Sequence, residues 1–88
     1  LRGAVILPPN GAPFVVLRIP APPAGRTWEA WVLRGDTPIP AGVSSAGGIV
    51  TITLTAPLGA GDGVAVTLEQ AGGSSAPTTP PVLVVPRT

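Results

Sequence analysis

The chain lacks cysteine, histidine, lysine, methionine and tyrosine. Those absences exclude disulfides, thiolate and imidazole metal ligands, cysteine or histidine catalysis, and a Schiff-base lysine. Charge is also scarce. Charged residues are 10% of the 88 positions, against about 25% in an ordinary soluble domain. The five arginines run from Arg2 through Arg18, Arg26 and Arg34 to Arg87 without clustering. A nucleic-acid surface needs several cations on one face, so a nucleic-acid partner is not expected. The high sequence pI reflects a net charge of only +1 with no side chain titrating between the carboxylates and the arginines. No apolar run nears the roughly 20 residues that a membrane-spanning helix needs.

What is present is glycine (12), proline (13) and a 44% hydrophobic content. So much glycine and proline often marks disorder, but disordered chains are poor in hydrophobic residues. The combination reads as one small packed domain over 1–88, cut into short segments by turns. The chain starts at Leu1 without Met, which reads as a piece of a longer protein.

Proline falls too regularly for long helices, and the runs between breaks alternate with period two. Strands are expected at 2–7, 14–19, 27–34, 39–43, 49–55, 63–69 and 81–85. In the second, Val15, Leu17 and Ile19 share one face. In the fifth, Val50, Ile52 and Leu54 point inward while Thr51, Thr53 and Thr55 face water. In the sixth, Val64, Val66 and Leu68 point inward, with Ala65, Thr67 and Glu69 outward. Pro40 places the fourth strand at a sheet edge. Seven half-apolar strands without an amphipathic helix predict an all-β fold, a small antiparallel β-sandwich, Ig-like in general architecture. A partly open barrel is the alternative. Edges with few charges and no lysine leave room for a homodimer.

Candidate chemistry is thin. Asp36 and Asp62 sit in glycine-containing turns, where aspartate serves structure. Glu29 and Glu69 would form a carboxylate pair if their strands were neighbours, but each is expected to pair with an arginine or face water. The segment Gly59–Gly63 leads into a strand and carries no lysine, so it is a turn and not a phosphate loop. No catalytic residue, cofactor or metal site is expected. Trp28 and Trp31 lie on opposite faces of one strand. The pattern favours Trp28 inward, with both rings packing and one of them under a loop. The sharper alternative makes the outer ring a contact for protein or sugar.

Three segments carry a resemblance. They are Pro23–Val32, which contains Trp28 and Trp31; Pro38–Val43, which contains Gly42; and Val64–Thr78, which contains Thr67, Glu69, Gly72, Gly73, Pro77 and Thr78. Their order and spacing resemble the C-terminal domain of the anti-sigma-K factor family. The pattern departs at Trp28, where the family has tyrosine, and at Gln70, where it has proline. The resemblance implies a regulatory, non-enzymatic module: the extracytoplasmic domain of a single-pass bacterial membrane protein. In the parent, a separate cytoplasmic part would hold an extracytoplasmic-function sigma factor, and a site-one protease would begin its release. The parent's tether would be a span upstream of Leu1. A structural or adhesive sandwich that binds protein or carbohydrate at a surface is the alternative.

The shared residues have an architectural reading. Gly72 and Gly73 allow positive φ in a tight turn. Pro77 fixes the return of the chain. Glu69 would accept N–H bonds from that loop or pair with an arginine. Gly42 would leave room for Trp28 or Trp31 across the neighbouring strand.

Overall fold

The computed structural model describes residues 1–86. Its strands are β1 (Arg2–Ile6), β2 (Phe14–Ile19), β3 (Arg26–Arg34), β4 (Thr37–Ser44), β5 (Gly48–Thr53), β6 (Gly63–Gln70) and β7 (Leu83–Val85). No helix occurs among the described residues, and so none is long and apolar enough to cross a membrane. The strands form two antiparallel sheets, one ordered β1-β2-β5 and the other β4-β3-β6-β7. This is the sandwich that the alternating pattern predicts.

The inward sets named from the sequence make the core. Val15, Leu17 and Ile19 of β2 and Val50 and Ile52 of β5 meet Trp28, Ala30 and Val32 of β3 and Val64 and Val66 of β6. Leu54 joins them beyond the end of β5. Each such aliphatic side chain contributes about 1.5–3 kcal/mol when taken from water, which is how short strands hold without disulfides. Along β5 the threonines are exposed, as the alternation requires.

Boundaries shift where backbone donors and pairing partners run out. β7 covers only Leu83–Val85 because Pro80 and Pro81 have no N–H to give to a ladder. β5 stops at Thr53, and the chain then crosses between sheets. The Leu54 amide donates to the Pro13 carbonyl at 2.9 Å and the Thr55 amide to the Ala41 carbonyl at 3.0 Å. β4 is longer than expected and includes Pro38 and Pro40, which an edge strand tolerates.

The β3–β4 pairing contains a bulge. Glu29 pairs with Val43 and Trp31 with Pro40, so Ala41 and Gly42 together face Ala30. Gly42 has φ 131°, and a Cβ there would sit 2.8 Å from Ile52 Cγ2 and 3.1 Å from the Thr53 carbonyl oxygen. The space that Gly42 leaves therefore admits β5. The expectation that it accommodates a tryptophan is corrected: the close approach is between the sheets, not along one of them.

The outer face of β3 and β6 departs from the expected wet surface. Glu29 and Trp31 on β3, and Ala65, Thr67 and Glu69 on β6, are all buried. The long connection from Ala71 to Val82 lies across this face as a strap and shields it.

Candidate functional site

The strap is fastened by polar groups rather than by apolar burial. At its start the Ala71 amide donates to the Gly25 carbonyl and the Gly73 amide to the Gln70 carbonyl, both at 2.9 Å. At its far end the Val82 amide reaches the Val66 carbonyl at 2.9 Å. The Thr79 hydroxyl donates to the Leu68 carbonyl at 2.9 Å. Between these points the strap is held by two carboxylates, Glu69 and Glu29.

Glu69 has no solvent exposure. Its Oε2 accepts the Thr67 hydroxyl at 2.6 Å and the Thr78 amide at 3.2 Å. Its Oε1 accepts the Ser74 hydroxyl at 2.9 Å and also the Thr78 hydroxyl. Among the described residues no cation touches the carboxylate. Arg26, the nearest guanidinium by register, donates instead to the main-chain carbonyls of Glu69 and Leu68. The expectation that Glu69 pairs with an arginine or faces water is thus corrected, and its alternative, acceptance of donors from the loop, describes the geometry. Burial alone would raise the Glu69 pKa. Hydrogen bonds from Thr67, Thr78 and Ser74 outweigh it and hold the group at about 2.

Glu29 lies diagonally across the same face, because Glu29 pairs with Thr67 and Thr27 with Glu69. It is buried and accepts the Ser74 amide on Oε1 at 2.7 Å. Burial pushes its pKa up, the Ser74 amide opposes this, and the Glu69 charge adds to the rise. Ser74 therefore bridges the two acids, giving its N–H to one and its O–H to the other. Both carboxylates are engaged by donors of this chain. Among the described residues no group of three or more acidic, histidine or cysteine side chains could hold a metal.

Trp31 completes the chain of contacts. It is fully buried beneath the strap, and its Nε1–H donates to Thr67 Oγ1 at 2.8 Å. The hydrogen bonds thus run from Trp31 through Thr67 to Glu69 and on to Ser74 and Thr78. Pro77 helps to close a small apolar space of about 170 Å³ beside Trp31. Gly73 has φ 89°, and a Cβ there would lie 3.0 Å from Val43 Cγ1 and 3.1 Å from Glu29 Oε1. Gly72 has φ 90° with open surroundings.

The structure thus gathers Trp31, Thr67, Glu69, Gly73, Pro77 and Thr78 around one strap. Trp28 and Gly42 stand elsewhere. Trp28 belongs to the core between the sheets, with its Nε1–H donating to the Pro20 carbonyl at 2.8 Å. Gly42 is in the bulge of β4. The three segments of the motif are neighbours in space, since β3, β4 and β6 lie side by side and the strap follows β6.

A family model described as "Anti-sigma-K factor rskA, C-terminal" matches residues 2–82. The chain belongs to the anti-sigma-K factor C-terminal domain family. The family is regulatory, and an anti-sigma factor has a sigma factor as its partner. No curated protein and no solved structure matches this anti-sigma-K factor domain. The matched region contains both the fastened strap and the strands beneath it.

Sequence reasoning passed over Ser74, Thr79 and the role of Glu29. One signal was available: Glu29 and Glu69 both alternate with large or β-branched residues on adjacent strands. A sugar platform built on an exposed indole has no support, because both Trp28 and Trp31 are buried.

Proposed function

We propose that this chain is the regulatory, non-catalytic extracytoplasmic domain of a bacterial transmembrane anti-sigma factor, and that the stability of its fold governs proteolytic release of the sigma factor. The observation that carries this reading is the family match over residues 2–82. The strap supports it. The polar motif residues Thr67, Glu69 and Thr78 are engaged in hydrogen bonds within the chain, which suits a module that acts through its folded state.

In this reading the domain sits outside the cytoplasm, tethered by a span upstream of Leu1. A site-one protease acts on an extended segment, and a segment becomes extended when it opens locally. The strap's amides at Ser74 and Thr78 close on two buried acids, so opening it breaks several bonds together. A ligand that prefers the open or the closed strap would shift this equilibrium and with it the rate of cleavage.

The test uses the full-length parent, with and without this domain, and follows sigma-dependent transcription under inducing and resting conditions. Deletion is expected to change induction, and Glu69→Ala is expected to raise resting transcription severalfold. Induction that is identical with and without the domain overturns the reading.

A further inference from the structure

The two sheets differ in cover and in charge. The outer face of β3 and β6 lies under the strap. Among the described residues, the outer face of β1-β2-β5 carries no such cover. Arg2, Arg18 and Ile49 form one cross-strand row on it, and Ala4, Val16 and Thr51 form the next. Ile49 is 76% exposed. A shallow, mostly apolar depression of about 390 Å³ lies among the two arginines, Ala4, Val16 and Ile49.

All four carboxylates belong to the other half of the molecule. Glu29 is on β3, Glu69 on β6, Asp36 in the β3–β4 turn and Asp62 just before β6. Arg2 and Arg18 are direct cross-strand partners, and neither side chain makes an ion pair or a hydrogen bond among the described residues. Like charges placed opposite each other cost stability. Among the described residues no carboxylate neutralises this pair, and an anion from outside the chain would relieve it. A second copy packed face to face would not supply one, since the face has no carboxylate to offer.

We propose that the outer face of the three-stranded sheet is a docking surface for an anionic phospholipid bilayer. Arg2 and Arg18 both line the apolar depression and both are exposed, so against a bilayer their stems can lie along apolar surface while the guanidinium groups meet the headgroups, the posture that long cationic side chains take at a membrane surface. A guanidinium fork matches lipid phosphate. Ile49 and the aliphatic floor supply the apolar area that interfacial binding needs in addition to charge. A protein partner anchors a bulky side chain in a deep socket, and this face has none. A bilayer is flat and needs none. The inference rests on the surface alone and goes beyond the anti-sigma reading, although a membrane-tethered domain would have a bilayer within reach.

The test is co-flotation of the 88-residue chain with vesicles of equimolar phosphatidylglycerol and phosphatidylcholine, beside vesicles of phosphatidylcholine alone. Binding is expected to the charged vesicles only. It should be lost near 1 M salt, where screening shortens to about 3 Å. The double variant Arg2→Gln/Arg18→Gln should lose about 25-fold, or roughly fivefold per arginine. Ile49→Ser should lose severalfold, and Val84→Ser, on the other sheet, should bind as the parent does. Thermal melts confirm that each variant is folded. Should the double variant fail to fold, the salt dependence and Ile49→Ser decide. No binding to charged vesicles, equal binding to both kinds, or full binding by the folded double variant overturns the proposal. A domain that alters sigma-dependent transcription yet ignores vesicles refutes docking alone. One that binds vesicles yet leaves transcription unchanged on deletion refutes only the anti-sigma reading.

Discussion

Glu69 is the residue on which the strap turns. It is buried with its charge, among the described residues no cation pairs with it, and it is stabilised by hydroxyl and amide donors from Thr67, Ser74 and Thr78. Removing the carboxylate leaves those donors facing an empty space, and each buried unsatisfied group costs about 1–3 kcal/mol. Glu69→Ala is expected to lower stability by roughly 3 kcal/mol. In hydrogen exchange the Ser74 and Thr78 amides should lose protection more than the β2–β5 amides do. Equal loss in both places would mean that Glu69 supports the whole fold and not the strap. Thr67→Val removes the acceptor of the Trp31 indole as well as one donor to Glu69, and should cost about 1–2 kcal/mol by thermal melt.

The two acids also set the response to pH, with opposite signs. Glu69 has a folded pKa near 2, below its ordinary 4.5, so its contribution is present above 4.5 and is lost as pH falls from 4.5 towards 2. Glu29 has a raised pKa, so stability rises as pH falls through its folded value towards 4.5. Melting temperature should therefore peak near pH 4.5 and fall steeply below it. In Glu29→Gln the gain on mild acidification should vanish while the steep acid limb remains. An unchanged profile in that variant would remove Glu29 from this account.

At the scale of elements, the bulge in β4 and the strap after β6 are two of the places where glycine is required. Gly42→Ala forces a side chain into a left-handed backbone and onto Ile52 and the Thr53 carbonyl. A loss of about 2 kcal/mol is expected, with the amides of β4 and β5 losing protection together. Gly73→Ala meets Val43 and the Glu29 carboxylate. It should speed proteolytic cleavage within 71–82 before it changes the global melt. Strand positions were legible in sequence because alternation reports which side of a strand meets a core. That is why Val15, Leu17 and Ile19, and Val50, Ile52 and Leu54, lie in the core as their alternation predicts. The bulge was not legible. Pro40 and Gly42 signal an edge and a bend, but the neighbour that approaches Gly42 belongs to the other sheet.

The whole molecule is a sandwich with one face strapped and, among the described residues, one face bare, and with its acidic side chains on the strapped half. Without histidine, cysteine or lysine, no side chain titrates in the neutral to mildly basic range. Stability should stay flat from about pH 7 to 9 in thermal melts, since proton uptake then hardly differs between the folded and unfolded chain.

Composition and alternation by themselves determined that this chain is all-β, that its strands number seven, and which residues face the core. These follow from short-range rules: proline and glycine end strands, and period two marks a half-buried one. The tertiary structure alone decided that the other face of β3 and β6 is dry. A polar residue at an outward position reads the same whether water or a later loop covers it. Only the path of residues 71–82 over Trp31, Thr67 and the two acids tells them apart.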